Sequence, residues 1–149
     1  MKMKLTLIAA ALALGTASFV QAADKADRKV HNADEERIES EYKAAKEKCD
    51  ALQGNQKDIC VAEAKGKEKV AKAENDAKNA KDQTRAQARV ERVKADAAYD
   101  VAKQRCQESK GNEKDVCMKE AKVQHDRANA TSAKRERSAT TGSSSPEKR

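Results

Sequence analysis

The sequence predicts an all-α protein: an elongated, coiled-coil-like rod of helical hairpins, stapled by two disulfides and followed by a disordered C-terminal tail. Three observations carry that expectation. Of 149 residues, 38% are charged and 2% aromatic, with one Pro and no Trp, a composition far from that of ordinary globular folds. The chain repeats itself after 57 positions. Its four cysteines fall two to a copy, placed symmetrically about a Gly-Asn pair.

The first element is Met1–Ala22. Lys2 and Lys4 precede the apolar run Leu5–Leu14, and Val20-Gln21-Ala22 then sets small residues at −3 and −1 of a cut. This order of charged start, short apolar centre and small-residue exit reads as a cleavable secretory signal peptide. The apolar run is shorter than the roughly 20 residues of a membrane span, so the expectation is a periplasmic chain beginning at Ala23 with no retained transmembrane segment. Without Lys2 and Lys4 the 32 basic residues become 30 against 25 acidic ones, a net charge of +5. Lys134–Arg149 holds five of the basic and two of the acidic residues, so the remaining body is nearly neutral. That balance gives no argument for specific nucleic-acid binding. The mature chain has 14 larger apolar side chains in 127 residues, and even full burial at roughly 1.5 to 3 kcal/mol each falls short of the ordering cost of a conventional core.

The two central elements are the duplicated units, 23–80 and 81–137. Residues 42–65 (YKAAKEKCDALQGNQKDICVAEAK) match residues 99–122 (YDVAKQRCQESKGNEKDVCMKEAK) at 12 of 24 positions without a gap, rare Tyr, Cys and Gly included. Each copy reads as a helical hairpin. Gly54 and Gly111 can take the left-handed conformation that ends a helix, Asn55 and Asn112 are good N-caps for the next, and Asp58 and Asp115 fall at N3, where an anion favours the exposed amides. Before the first turn, Ile38, Tyr42, Ala45, Cys49 and Leu52 form one narrow stripe at coiled-coil spacing. After it, Ile59, Glu63, Gly66, Val70, Ala73, Ala77 and Ala80 continue the rhythm in a weaker, mostly alanine form. Cys49 and Cys60 are equidistant from the Gly54-Asn55 bond, as Cys106 and Cys117 are from Gly111-Asn112. Positions symmetric about a tight antiparallel turn face each other, and an exported chain with an even cysteine count favours oxidation. The pairing predicted is Cys49–Cys60 and Cys106–Cys117, each bridge contributing about 3 kcal/mol.

Between the hairpins the chain is rich in Ala, Lys, Glu, Arg and Gln, with helix-supporting i,i+4 pairs at Glu39/Lys43, Glu63/Lys67, Glu68/Lys72 and Glu74/Lys78. One continuous helix here would hold Cys60 and Cys106 about 69 Å apart. Asn75–Thr84 is the weakest part, where a break would let the hairpins fold together. The last element, Ser138–Arg149 (SATTGSSSPEKR), lacks apolar periodicity and is expected to be disordered.

No residue emerges as catalytic, cofactor-binding or metal-ligating. Zinc sites combine C-x2–4-C pairs with further Cys or His, whereas each hairpin has C-x10-C. A redox C-x-x-C, a Gly-rich phosphate loop and a nucleophile elbow are all missing from the sequence. His31 and His125 have no counterparts in the duplication and read as solvent-facing. Tyr42 and Tyr99 read as packing residues of the hairpin stripes.

The repeated Y-x-x-A-K…C-x4-G-N-x-K-D-[IV]-C-x2-E-A-K behind a signal peptide resembles a group of small exported proteins of Gram-negative bacteria often labelled TolA-like or cell-envelope proteins. TolA itself is similar only through its Ala/Lys/Glu-rich helical segment. Its membrane anchor and folded C-terminal domain are not expected here, so no energy-transducing role and no functional residue is transferred. The expectation is a non-enzymatic periplasmic scaffold, spacer or stress-related envelope protein. One alternative is a module holding a polyanion or membrane surface through Lys/Arg-rich helix faces and the basic tail. A second is a thiol or soft-metal binding protein. The partner classes left open are an envelope protein, an anionic surface and, through the helices, further copies of the chain. Non-reducing peptide mapping should recover Cys49 linked to Cys60 and Cys106 linked to Cys117 without free thiol; a Cys49–Cys106 link would show the assignment to be wrong.

Overall fold

The structure, a computed structural model, describes residues 18–142, which contain four α-helices joined by turns and no strand. The first hairpin is α1 (Ser18–Asp50) with α2 (Gly54–Lys78), and the second is α3 (Gln83–Cys106) with α4 (Gly111–Gly142). Gly54 and Gly111 carry φ values of +56° and +53°. Those left-handed values cost an L side chain about 1 kcal/mol or more, which is why glycine stands at both turns. Both staples form as the symmetry predicts, with Cα atoms 5.5 Å apart for Cys49–Cys60 and 5.6 Å for Cys106–Cys117.

The continuous helix between the staples does not form. The chain leaves helix at 79–82, inside the weak stretch Asn75–Thr84, and α3 runs back antiparallel along α2. Two neighbouring side chains make this break. Asp82 stands at the N-cap of α3 and its carboxylate accepts from the Arg85 amide at 2.9 Å. Gln83 donates through Nε2 to the carbonyls of Ala77 at 3.1 Å and Ala80 at 2.7 Å. One side chain thus satisfies a donor that opens α3, and the next satisfies a carbonyl in the last turn of α2 and one in the turn that follows it. As a result both disulfides lie at the same end of the molecule. Asn55 Nδ2 donates to the Gln104 carbonyl at 2.9 Å, and Gln56 Nε2 to Glu108 at 2.7 Å, so the two hairpin turns are tied together.

Packing is serial. α1 packs on α2, α2 on α3 and α3 on α4, and no other pair of helices touches among the described residues. The molecule is therefore an open layer of four helices and not a closed bundle. The inner helices show this in their burial, because buried positions recur two residues apart: Ala64 and Gly66, then Ala73, Asn75 and Ala77 on α2, and Ala88 and Val90 on α3. At 3.6 residues per turn, such positions are about 200° apart and point to opposite sides. Asn75 faces α1, where its Nδ2 donates to the His31 carbonyl at 3.2 Å. Ala73 and Ala77 face α3 and cluster with Val90, joined by Ala86 and Val93. The alanine stripe read from the sequence is thus the seam with α3. The seam with α1 is a second stripe, including Ala64, Ala71 and Asn75, that hairpin symmetry alone did not reveal.

The core is as thin as the composition implies. Val90, Cys49 and Cys106 are its largest fully buried side chains, while Val30, Leu52, Val116 and Val123 are exposed. Small residues substitute for large ones by letting backbones approach. A Cβ added to Gly66 would meet the Ala97 Cβ at 3.1 Å, closer than ordinary van der Waals contact.

Two terminal expectations meet the described region only in part. α4 runs to Gly142, so Ser138–Gly142 is helical and not part of an irregular tail. Nothing from Ser138 to Thr141 breaks a helix, and the Ser138 hydroxyl donates to the Lys134 carbonyl at 3.0 Å, a bond that Ser makes within helices. The rest of the expected tail, 143–149, lies outside the described residues. So do positions 1–17 of the expected signal peptide, and α1 is continuous through the Ala22–Ala23 bond. Among the described residues no helix is long and apolar enough to cross a membrane. Gly66→Val should destabilise the protein by about 2 kcal/mol in urea unfolding, because overpacking at the α2–α3 contact outweighs the few tenths gained in helix propensity; an unchanged midpoint would show that the close approach is not required.

Candidate functional site

The residues singled out by the sequence gather at the stapled end. Cys49 and Cys106 are buried, each bridging to a half-exposed partner, Cys60 or Cys117, on the next helix. Among the described residues no cysteine is free. The turn residues depart in part from their expected roles. Gln53, in extended conformation, flanks α2 at its N-cap, and the Asn55 amide is spent on Gln104 of α3. With Gln53 at the N-cap and α2 opening at Gly54, Asp58 falls at N5 rather than N3 and lines a charged groove between α2 and α3 with Lys57, Lys65, Lys69 and Asp100. Asn112 and Asp115 are exposed at the start of α4.

The opposite face of the α2–α3 seam is apolar. Val70, Ala71, Ala98, Val101 and Ala102 line a shallow open groove with Glu63, Arg105 and Glu74 at its margins. The ion pairs at those margins cross between helices: Glu63 to Arg105 at 2.7 Å and Glu74 to Lys94 at 3.0 Å. Of the four i,i+4 pairs predicted, Glu68/Lys72 forms, at 2.8 Å. In the others, Lys78 is held by Asp34 of α1 at 2.5 Å, and Glu39 reaches Lys72 of α2 at 3.8 Å. An antiparallel neighbour offers a carboxylate or ammonium at the same distance as the next turn of the same helix, and it also fixes register.

Both histidines are partly buried between helices, contrary to the expectation from the sequence that they face solvent: 26% of the His31 side chain and 21% of the His125 side chain is exposed. His125 of α4 stacks on Tyr99 of α3, ring centroids 4.7 Å apart, and its Nε2 lies 2.6 Å from Asp96 Oδ1 and 3.0 Å from Asn129 Nδ2. Lys103 also packs over the Tyr99 ring, 4.8 Å from its centroid. In the first hairpin, His31 of α1 lies 3.3 Å from Asp76 of α2 and 3.8 Å from Glu35. His31, Glu35 and Asp76 offer one nitrogen and two oxygens within 4.8 Å of one another. This mixed set suits a borderline divalent cation better than a hard one. Their equivalents in the second repeat are Ala88, Arg92 and Ala133, so the cluster belongs to one hairpin and is not needed to fold the unit. It was illegible in the sequence because 45 residues separate His31 from Asp76; Glu35 four residues after His31 was the only local hint.

The charged groups titrate as an ion-pair lattice. Lys78 holds the Asp34 carboxyl below its ordinary value, Lys57 does so for Asp50, Lys103 for Asp100 and Lys122 for Asp126. Reciprocally, Glu68, Glu74, Asp100 and Asp126 raise Lys72, Lys94, Lys103 and Lys122.

Comparison with protein-family models, curated proteins and solved structures gives no match to this chain.

The shifts fix the sign of the pH response. Carboxyls lowered in the folded state contribute stability that is complete above the ordinary carboxylate pKa near 4 and is lost as pH falls through their lowered values. Lysines raised in the folded state contribute stability that is complete below about pH 10 and is lost as pH rises through their raised values. Thermal unfolding should therefore show a plateau between roughly pH 5 and 9 with losses on both sides, shallower in high salt; a melting temperature that rises on acidification to about pH 3 would contradict the lattice.

Proposed function

We propose that the chain is a non-enzymatic periplasmic scaffold or spacer of the Gram-negative cell envelope, of the TolA-like group its repeat resembles. The observation that carries this reading is the pair of disulfides at one end of a four-helix layer. Structural disulfides persist in oxidising compartments, the periplasm among them. Here they reinforce hairpins whose alanine seams bury little. The side chains along the layer are occupied in holding helices in register, as a part that presents surfaces requires. The polyanion reading meets a surface where Lys69, Lys72, Lys94, Arg92 and Arg105 are already held by carboxylates.

Osmotic-shock fractionation of an untagged Gram-negative expression strain tests it. The expected product is a periplasmic chain with Ala23 at its N-terminus and both bridges closed, losing about 3 kcal/mol per bridge on reduction while keeping much of its helix. An unprocessed cytosolic chain with free thiols would overturn the proposal.

A further inference from the structure

The duplication makes the two outer edges of the layer equivalent to the two sides of its central seam. A shift of 57 residues carries α2 onto α4 and α3 back onto α1. The side of α2 that packs on α3 therefore has its counterpart on the outer edge of α4, and the side of α3 that packs on α2 has its counterpart on the outer edge of α1. Both edges are open: Val116 and Val123 on α4 are 44% and 45% exposed, and Ser40, Lys43, Glu47 and Lys48 on α1 are exposed.

The polar interactions toward the stapled end of the central seam can be carried across residue by residue, whereas its apolar cluster of Ala73, Ala77, Val90, Ala86 and Val93 becomes Ala130, Lys134, Ala33, Lys29 and Glu36. Glu63 pairs with Arg105 at 2.7 Å; the counterparts are Glu120 on α4 and Lys48 on α1, again opposite charges. Lys69 pairs with Asp100 at 3.4 Å; the counterparts are Asp126, which Lys122 of its own helix also holds at 2.7 Å, and Lys43, opposite charges with the signs exchanged. Asn55 donates to the Gln104 carbonyl; the counterparts are Asn112 and the carbonyl of Glu47. The third ion pair of the seam, Glu74 with Lys94, becomes Thr131 facing Arg37, which neither attracts nor repels. Two charge pairs and an amide donor are thus retained on edges that have no neighbour within the described chain.

We infer that the outer edge of α4 docks along the outer edge of α1 of a second copy of this chain, head to tail, in the register by which α2 docks along α3. The contact rests on the scaffold reading and deepens it by naming a partner. It is weaker than the seam it copies: Val123 replaces Gly66 and Ser40 replaces Ala97, so the helices stand further apart. Lys134, Lys29 and Glu36 replace Ala77, Ala86 and Val93 of the apolar cluster, so the contact is confined to the stapled half of the edges. A single helix–helix seam is also small for a permanent interface. Each copy joined this way leaves an α1 edge free at one end and an α4 edge free at the other. Such a heterologous contact grows beyond two copies, into a ring or an open array.

Sedimentation equilibrium of the purified oxidised protein at low salt tests the inference. The expected result is a weight-average mass that climbs past that of a dimer as concentration rises and falls back in high salt. Glu120→Lys alone and Lys48→Glu alone should each weaken association by about ten-fold, and the double variant, which restores opposite charges, should recover to within a few-fold of the parent. The inference is overturned by a protein that stays monomeric at all concentrations, by a mass that stops at the dimer, by single variants that associate like the parent, or by a double variant no better than the singles. The measurement uses purified protein, so its failure is separate from any failure of export.

Discussion

The rest of the architecture depends on four residues between the hairpins. Without the turn at 79–82 the composition on either side would run as one helix, and the two staples would stand at opposite ends of it. Asp82 and Gln83 reverse that outcome locally, one opening α3 and the other closing α2. A helix terminus leaves four donors or acceptors without intrahelical partners, and placing both caps in consecutive side chains makes the break self-sufficient. Once it is made, α3 has α2 as its neighbour, and the central seam follows.

What then holds the layer is closeness rather than bulk. Alanine and glycine bury little area each, so the gain per residue is small, but they bring backbones near enough for side chains to reach the adjacent helix. Asn75 and Asn55 use that proximity to bond carbonyls of α1 and α3. Exposed ion pairs are individually weak, yet here they cross between helices and so select register. The disulfides clamp both hairpins at one end of the layer.

An open layer of repeats also differs from a closed bundle in what it leaves over. In a closed bundle each helix has two neighbours and the interior consumes every apolar stripe. In this serial array α2 and α3 are sandwiched while α1 and α4 are half-used, which is the general situation of repeat proteins, whose terminal units are either specialised as caps or available to partners. The two hairpins have also diverged from each other, since the His31 cluster belongs to the first and the Tyr99–His125 stack to the second.

The sequence by itself determined the helical class, the duplicated hairpin, the disulfide pairing and the thinness of the core. Each is written in local spacing: Gly54 and Gly111 need a left-handed backbone, and the cysteines are symmetric about those turns. It also marked Asn75–Thr84 as the place of weakness. Only the tertiary structure decided that the break is taken, that the staples share one end, and which pairs of charges meet. His31 and Asp76, Glu63 and Arg105, and Tyr99 and His125 come together because antiparallel helices align distant positions, and periodicity along one helix says nothing of its neighbour's register. Burial alternates through Ala64 and Gly66 and through Ala73, Asn75 and Ala77, because a helix with a neighbour on each of two opposite sides needs small residues on both. A single stripe at coiled-coil spacing describes one of those sides, and the second exists only once the third helix is in place.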